Sequence, residues 1–172
     1  MSAGTAPAIR RACIERTPRH GRAHGTLMPR LLGVDAGEER IGLAVCDEGG
    51  LIAVPIAIIE RRGRALDRVA EEIAARAQAE GVEAIVLGLP RNIDGSEGPQ
   101  ARRARGLGRR IAAASGLPLQ YWDERMSSFI AESRLAESRA ASGRRGRRHI
   151  DDLAAAVILQ AYLDAQRPGG GA

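Results

Sequence analysis

The stretch Leu31-Leu32-Gly33-Val34-Asp35-Ala36-Gly37-Glu38-Glu39-Arg40-Ile41-Gly42-Leu43-Ala44-Val45-Cys46-Asp47-Glu48-Gly49-Gly50-Leu51-Ile52-Ala53-Val54-Pro55-Ile56-Ala57-Ile58-Ile59 decides the fold. It holds three apolar runs, 31–35, 41–46 and 51–59, each too short for an amphipathic helix and each bounded by turn residues. Such runs read as strands. Asp47-Glu48-Gly49-Gly50 is hairpin chemistry, so the second and third strands are expected to be antiparallel neighbours.

Downstream the pattern changes period. Leu66, Val69, Ala70, Ile73 and Ala77 recur at helical spacing within 64–80, and Gly81 ends that helix. Residues 84–89 are nearly continuous in apolar side chains, as a central parallel strand should be. A polar loop, 91–98, leads to a helix opening at Pro99 and closed by Gly116. A fifth strand is expected over 117–122, a helix over 128–138, an Arg/Gly/Ser loop over 139–148 and a last helix over 150–166. The order β-β-β-α-β-α-β-α-α predicts an α/β fold with a mixed five-stranded sheet. Strands one to three form an antiparallel meander, strands four and five run parallel, and helices flank the sheet. That is the element order of a ribonuclease H-like domain.

The chain has 172 residues, enough for one domain with its own core. The reading divides it into an Arg-rich leader (1–29), the domain (30–167) and a short tail (168–172), with Met28 as an alternative start. No apolar run reaches the ~18 residues of a membrane span, and the leader lacks the apolar segment of a secretory signal. Cys13 and Cys46 match no zinc or redox spacing. A cytoplasmic protein without membrane partners is the expectation.

Charge is unevenly spread. Residues 1–30 carry six Arg and one acid, whereas 31–172 carry 20 of each and are neutral overall. Within the domain, 31–98 sum to −6, 99–148 to +8 and 149–172 to −2. An acidic part beside a basic part suits a carboxylate site next to a phosphate-binding surface, although solvated helix faces give the same totals. Lysine is absent, which reads as a composition bias. With only Trp122, Tyr121, Tyr162 and Phe129 as aromatics, base stacking is a poor recognition mode, and contacts to nucleic acid would go mostly to phosphate.

Three acids stand where a nuclease needs them: Asp35 ending the first strand, Glu124 just after the fifth, and Asp151 opening the last helix. Strand ends and a helix start can converge although 89 and 27 residues separate these positions. Carboxylate oxygens suit Mg²⁺ or Mn²⁺, and two such ions about 4 Å apart can activate water and stabilise the leaving oxygen of a phosphodiester. That chemistry needs no Ser, Cys or His nucleophile. Each acid also has a structural reading: Asp151 as a helix cap, Glu124 as an ion-pair partner of Arg125 or Arg40. Asn92 lies in the loop leaving the fourth strand, a usual ligand position in open α/β sheets. Arg102, Arg103, Arg105, Arg109 and Arg110 on the next helix form a candidate phosphate face, and Arg145 and Arg147 a second.

The segment Asp35-x-Gly37-x-x-x-x-Gly42 resembles the first phosphate loop of actin-like and sugar-kinase ATPases, but these need a second lobe that 142 residues cannot supply. A fuller resemblance rests on four ordered motifs. They are Val34-Asp35-x-Gly37-x-x-Arg40-Ile41-Gly42-x-Ala44-Val45; Gly88-Leu89-Pro90-x-Asn92-x-Asp94-Gly95-x-Glu97-Gly98-Pro99-Gln100; Asp123-Glu124-Arg125; and Ile150-Asp151-x-x-Ala154-Ala155-x-x-Ile158-Leu159-Gln160. Together, over about 30–165, they resemble the YqgF/RuvX family of ribonuclease H-like proteins. The resemblance implies a metal-dependent nuclease of two Mg²⁺ or Mn²⁺ ions, maturing the 5′ end of pre-16S rRNA. Asp35, Glu124 and Asp151 stand at its catalytic positions, Asp152 is a further possible ligand, and Arg40, Asn92 and Arg125 stand with the arginines as substrate contacts. Glu39 departs from the usual basic residue, and Met126-Ser127-Ser128 from the usual Leu-Thr-Thr segment. Two alternatives stay open: a junction-resolving DNA endonuclease, expected to be a homodimer rather than a monomer, and a nucleic-acid-binding module without activity.

Overall fold

A computed structural model describes residues 29–125 and 148–167. The meander is formed by β1 (Leu31–Ala36), β2 (Arg40–Cys46) and β3 (Ala53–Glu60), paired antiparallel in sequence. Helix α1 (Leu66–Ala79) leads to β4 (Ala84–Leu89), helix α2 (Pro99–Ser115) to β5 (Leu119–Asp123), and α3 (Arg148–Gln166) ends the described chain. The sheet order is β3-β2-β1-β4-β5, with β1, β4 and β5 mutually parallel. This is the mixed sheet the strand pattern predicts.

Each sheet face has its own core. On one side Leu32, Val34, Ile41, Leu43, Ile85 and Leu87 pack against the apolar stripes of α1 and α2, the latter built from Ala101, Ala104, Leu107 and Ile111. On the other, Leu31, Ala44, Cys46, Ala84 and Val86 receive Ala155, Ile158, Leu159 and Leu163 of α3. Gly33 lets α3 close on β1, since a Cβ there would stand 2.7 Å from Leu159 Cβ and 2.9 Å from the Ala155 carbonyl oxygen.

The third strand starts later than its apolar run. Leu51 and Ile52 are exposed and belong to the turn. Asp47 Oδ1 accepts their backbone N–H groups at 2.6 and 2.9 Å, which holds the turn open for two further residues. A bulge between Leu43 and Ala44 shifts the β2–β3 register. The fifth strand likewise begins at Leu119 rather than Leu117. The leader, the helix expected over 128–138, most of the loop expected over 139–148 and the tail lie outside the described residues. Among those described, no helix is long and apolar enough to cross a membrane.

Candidate active site

Asp35 sits one residue from the end of β1, opposite Gly42 on β2. Parallel pairing brings the carboxyl ends of β4 and β5 alongside, with Gly88 opposite Trp122 and Leu89 opposite Asp123. Glu124 extends that ladder, its N–H donating to the Leu89 carbonyl at 3.3 Å. Asp35 and Glu124 both line one cleft of about 140 Å³, with Gly37, Glu38, Arg61, Pro90, Gln100 and Arg103 around them.

The middle strand leaves room for this. A Cβ on Gly88 would lie 2.5 Å from Glu124 Oε1 and 2.7 Å from Ile158 Cδ1. The Glu124 carboxylate therefore rests on bare β4 backbone and is half-buried. Burial foremost, then the charges of Asp35 and Asp123, push its carboxyl up to about 7. Its neighbour Asp123 moves the opposite way, held low by hydrogen bonds from Arg125. Two adjacent carboxyls thus differ in protonation behaviour, because Arg125 favours the ionised form of one while burial foremost, and like charge after it, disfavours that of the other.

An oxygen-only donor set whose members repel one another fits a hard divalent cation, which would relieve that repulsion. Among the described residues, no three His, Cys, Asp or Glu side chains group closely enough to hold a metal. Asp151 and Asp152 are the fourth and fifth residues of α3, and their side chains lie outside what is described. One turn further on, Ala154 borders a second cleft of about 430 Å³ that shares Asp35 and includes Arg40, Gly42 and Ile58.

The remaining expected contacts are dispersed. Arg40 bonds Glu60 across β2–β3 at 3.1 Å. Asn92 folds its own loop, donating to Ser96 Oγ at 2.8 Å. Arg125 is held by Asp123 and by the Ile93 carbonyl. The five α2 arginines do not share a face. Arg103 pairs with Glu38 at the cleft, whereas Arg110 bonds Asp67 of α1 at 2.9 Å. Arg105 makes a two-pronged pair with Glu97 at 2.7 and 2.6 Å and lies 4.6 Å over the Tyr121 ring. Arg102 and Arg109 are exposed. Arg145 and Arg147 lie outside the described residues.

Sequence reasoning missed Arg61, Gln100 and the role of Gly88. Arg61 is partly buried at the cleft, and its Nη1 donates to the Gly37 carbonyl at 2.9 Å. Only the close approach of β4 to an acid, visible in the Gly88-Leu89-Pro90 motif as a glycine where a central strand wants an apolar residue, hinted at the slot.

A family model described as "RuvX: Holliday junction resolvase" matches residues 29–165. The chain belongs to the RuvX family. It is 51% identical over 139 residues to a protein of Anaeromyxobacter dehalogenans (strain 2CP-C) named "Putative pre-16S rRNA nuclease", covering 81% of this chain and 99% of that one. A protein of the same name from Symbiobacterium thermophilum is 45% identical over 137 residues, covering 80% and 93%. Among solved structures, Thermus thermophilus RuvC in complex with a Holliday junction substrate superposes with a TM-score of 0.54 at 15% identity, covering 78% of this chain and 94% of that one. The last likeness bears on fold alone, and it agrees with the ribonuclease H-like architecture expected from the strand order.

Proposed function

We propose that this RuvX-family protein is a nuclease that hydrolyses phosphodiester bonds of precursor 16S rRNA, working in the cytoplasm. The observation that carries the reading is the convergence of Asp35 and Glu124 in one cleft, with Glu124 crowded enough to hold its carboxyl at about 7. The names borne by relatives of nearly full coverage supply the substrate class.

Asp35 and Glu124 would hold Mg²⁺ or Mn²⁺, with Asp151 the third ligand and Asp152 beside it. Bound divalent ions would make water a competent nucleophile at neutral pH and offset charge building on the phosphate. The protein's own part is positional. Gly88 leaves the space in which Glu124 meets Asp35, and β1 and β5 fix their spacing. Arg103 at the cleft mouth, with Arg102 and Arg109 on the exposed side of α2, would hold backbone phosphates.

The test is cleavage of a 16S precursor transcript by purified protein with Mg²⁺ or Mn²⁺, alongside chelator and Asp35→Asn controls. Metal-dependent cutting lost in Asp35→Asn is the expected result. Cutting of four-way DNA junctions with the transcript intact would reassign the enzyme to DNA resolution. Binding without cutting of either would leave a nucleic-acid-binding module.

A further inference from the structure

Arg61 is the cation of the cleft that the reading above does not use. It follows β3 directly, in a segment tied to the β1–β2 turn: the Arg61 and Arg62 N–H groups both donate to the Glu39 carbonyl, at 2.8 and 3.3 Å. Its guanidinium donates once, to the carbonyl of Gly37, which lines the same cleft as Asp35. A guanidinium has five N–H donors. Among the described residues, the other arginines at or near this cleft are already engaged: Arg103 by Glu38, Arg91 and Arg105 by Glu97, Arg125 by Asp123. No carboxylate bridges to Arg61 among the described residues, although the cleft holds Asp35, Glu38 and Glu124.

We infer that Arg61 grips a phosphate of the substrate strand beside the Asp35–Glu124 pair. The proposal rests on the nuclease reading for the identity of the polyanion. Anchored at one nitrogen by Gly37, the guanidinium is pre-organised, so less side-chain freedom is lost when a phosphate takes the remaining donors. A guanidinium lining the same small cleft as the acids also explains how a polyanion enters a site that carries three carboxylates. Arg61, from the segment after β3, and Arg103, from α2, both line the cleft, so a strand lying there meets arginines contributed by two separate elements.

Arg61 could instead serve only to pin Gly37, and the variants separate the two roles. Arg61→Gln removes the charge and, its amide ending two bonds short of Nη1, also gives up the Gly37 bond; Arg61→Lys keeps the charge and a longer-reaching donor but loses the fork. Arg62→Ala, at an exposed side chain paired with Glu39, is the control. Binding of a single-stranded RNA from the precursor is measured against salt in the Asp35→Asn background, which needs no turnover. Arg61→Gln is expected to weaken binding by about ten- to hundredfold, as for a hydrogen bond to a charged group, and to flatten the salt slope by about one phosphate contact. Arg61→Lys should recover most of the slope and part of the affinity, while Arg62→Ala changes neither. Full retention of affinity and slope in Arg61→Gln, with its melting temperature unchanged, would overturn the proposal. Equal loss in Gln and Lys variants accompanied by a lowered melting temperature would also overturn it, in favour of a turn-pinning role. Because the readout is binding, a failure to cleave any RNA would count against the nuclease reading without deciding this one.

Discussion

Glu124 occupies the volume that a side chain on Gly88 would need, with its Oε1 2.5 Å from the Cβ position of any larger residue there. Strand β4 thus contributes to the acidic pair by omission. Gly88→Ala should push the Glu124 carboxylate away from Asp35 and cut cleavage at least tenfold. The atoms in the way are the flexible ends of Glu124 and Ile158, so the stability cost should be no more than about 1 kcal/mol. Gly33→Ala is the contrast, because its Cβ would meet the Ala155 backbone carbonyl at 2.9 Å. There the cost should be about 3 kcal/mol, read as a lowered melting temperature. Equal melting temperatures for the two variants would refute the distinction.

Glu124 should also govern the pH response. With a carboxyl near 7 in the folded protein against an ordinary 4.5, the folded state binds the proton more tightly than the unfolded chain. Stability from this group is therefore full below about 4.5, declines as pH rises toward 7 and is level above it. Thermal unfolding of wild type minus Glu124→Gln across pH 4–8, without divalent ions, should show this decline. Cleavage should run the other way, rising with pH as the carboxylate forms, with a midpoint below that of the metal-free protein because a bound divalent ion favours the ionised form.

Asp35→Asn tests the coupling from the other side. Removing the Asp35 charge takes away one cause of the raised Glu124 carboxyl, so that group's titration, followed by carboxyl NMR, should move down toward its ordinary range. Turnover should be lost while RNA affinity stays close to wild type. Asp35→Asn with Glu124→Gln should lose little more than either alone, since residues acting as a unit are not additive. An unmoved Glu124 titration would mean that burial and Asp123 set it without Asp35.

The arginines of α2 should divide into two groups. Arg105→Ala removes the two-pronged Glu97 pair and the contact with Tyr121, and should cost stability by about 1 kcal/mol. Arg102→Ala with Arg109→Ala should leave stability alone and flatten the salt dependence of RNA binding by about two contacts. Arg110→Ala, whose partner Asp67 lies on α1, should leave the salt slope unchanged.

Much of this was legible in the chain. Apolar runs of strand length and a hairpin turn specify the meander, and the nearly unbroken 84–89 run marks a strand buried on both faces. Asp35 and Glu124 were identifiable because strand ends are local features. The start of β3 was not, because Leu51 and Ile52 are as apolar as any strand residue, and it is hydrogen bonds to Asp47 and from the distant Gln160 and Arg167 that hold them in the turn. The α2 arginines read as one basic run because charge counts ignore direction, whereas helical geometry sends 103 and 110 one way and 102 and 109 another. Arg61 carried no signal at all: it is one of three arginines in the four positions 61–64, distinguished only by where the β1–β2 turn lies in space.

The strand order β3-β2-β1-β4-β5 has a consequence for how the protein comes into being. The meander closes by short-range hairpins, while β4 reaches β1, and β5 reaches β4, only after a helical crossover. Asp35 belongs to the early part, and Glu124 directly follows the last strand of the sheet. The chain therefore carries no assembled acidic pair until its longest-range pairings have formed, and catalytic competence on refolding should lag the appearance of β structure.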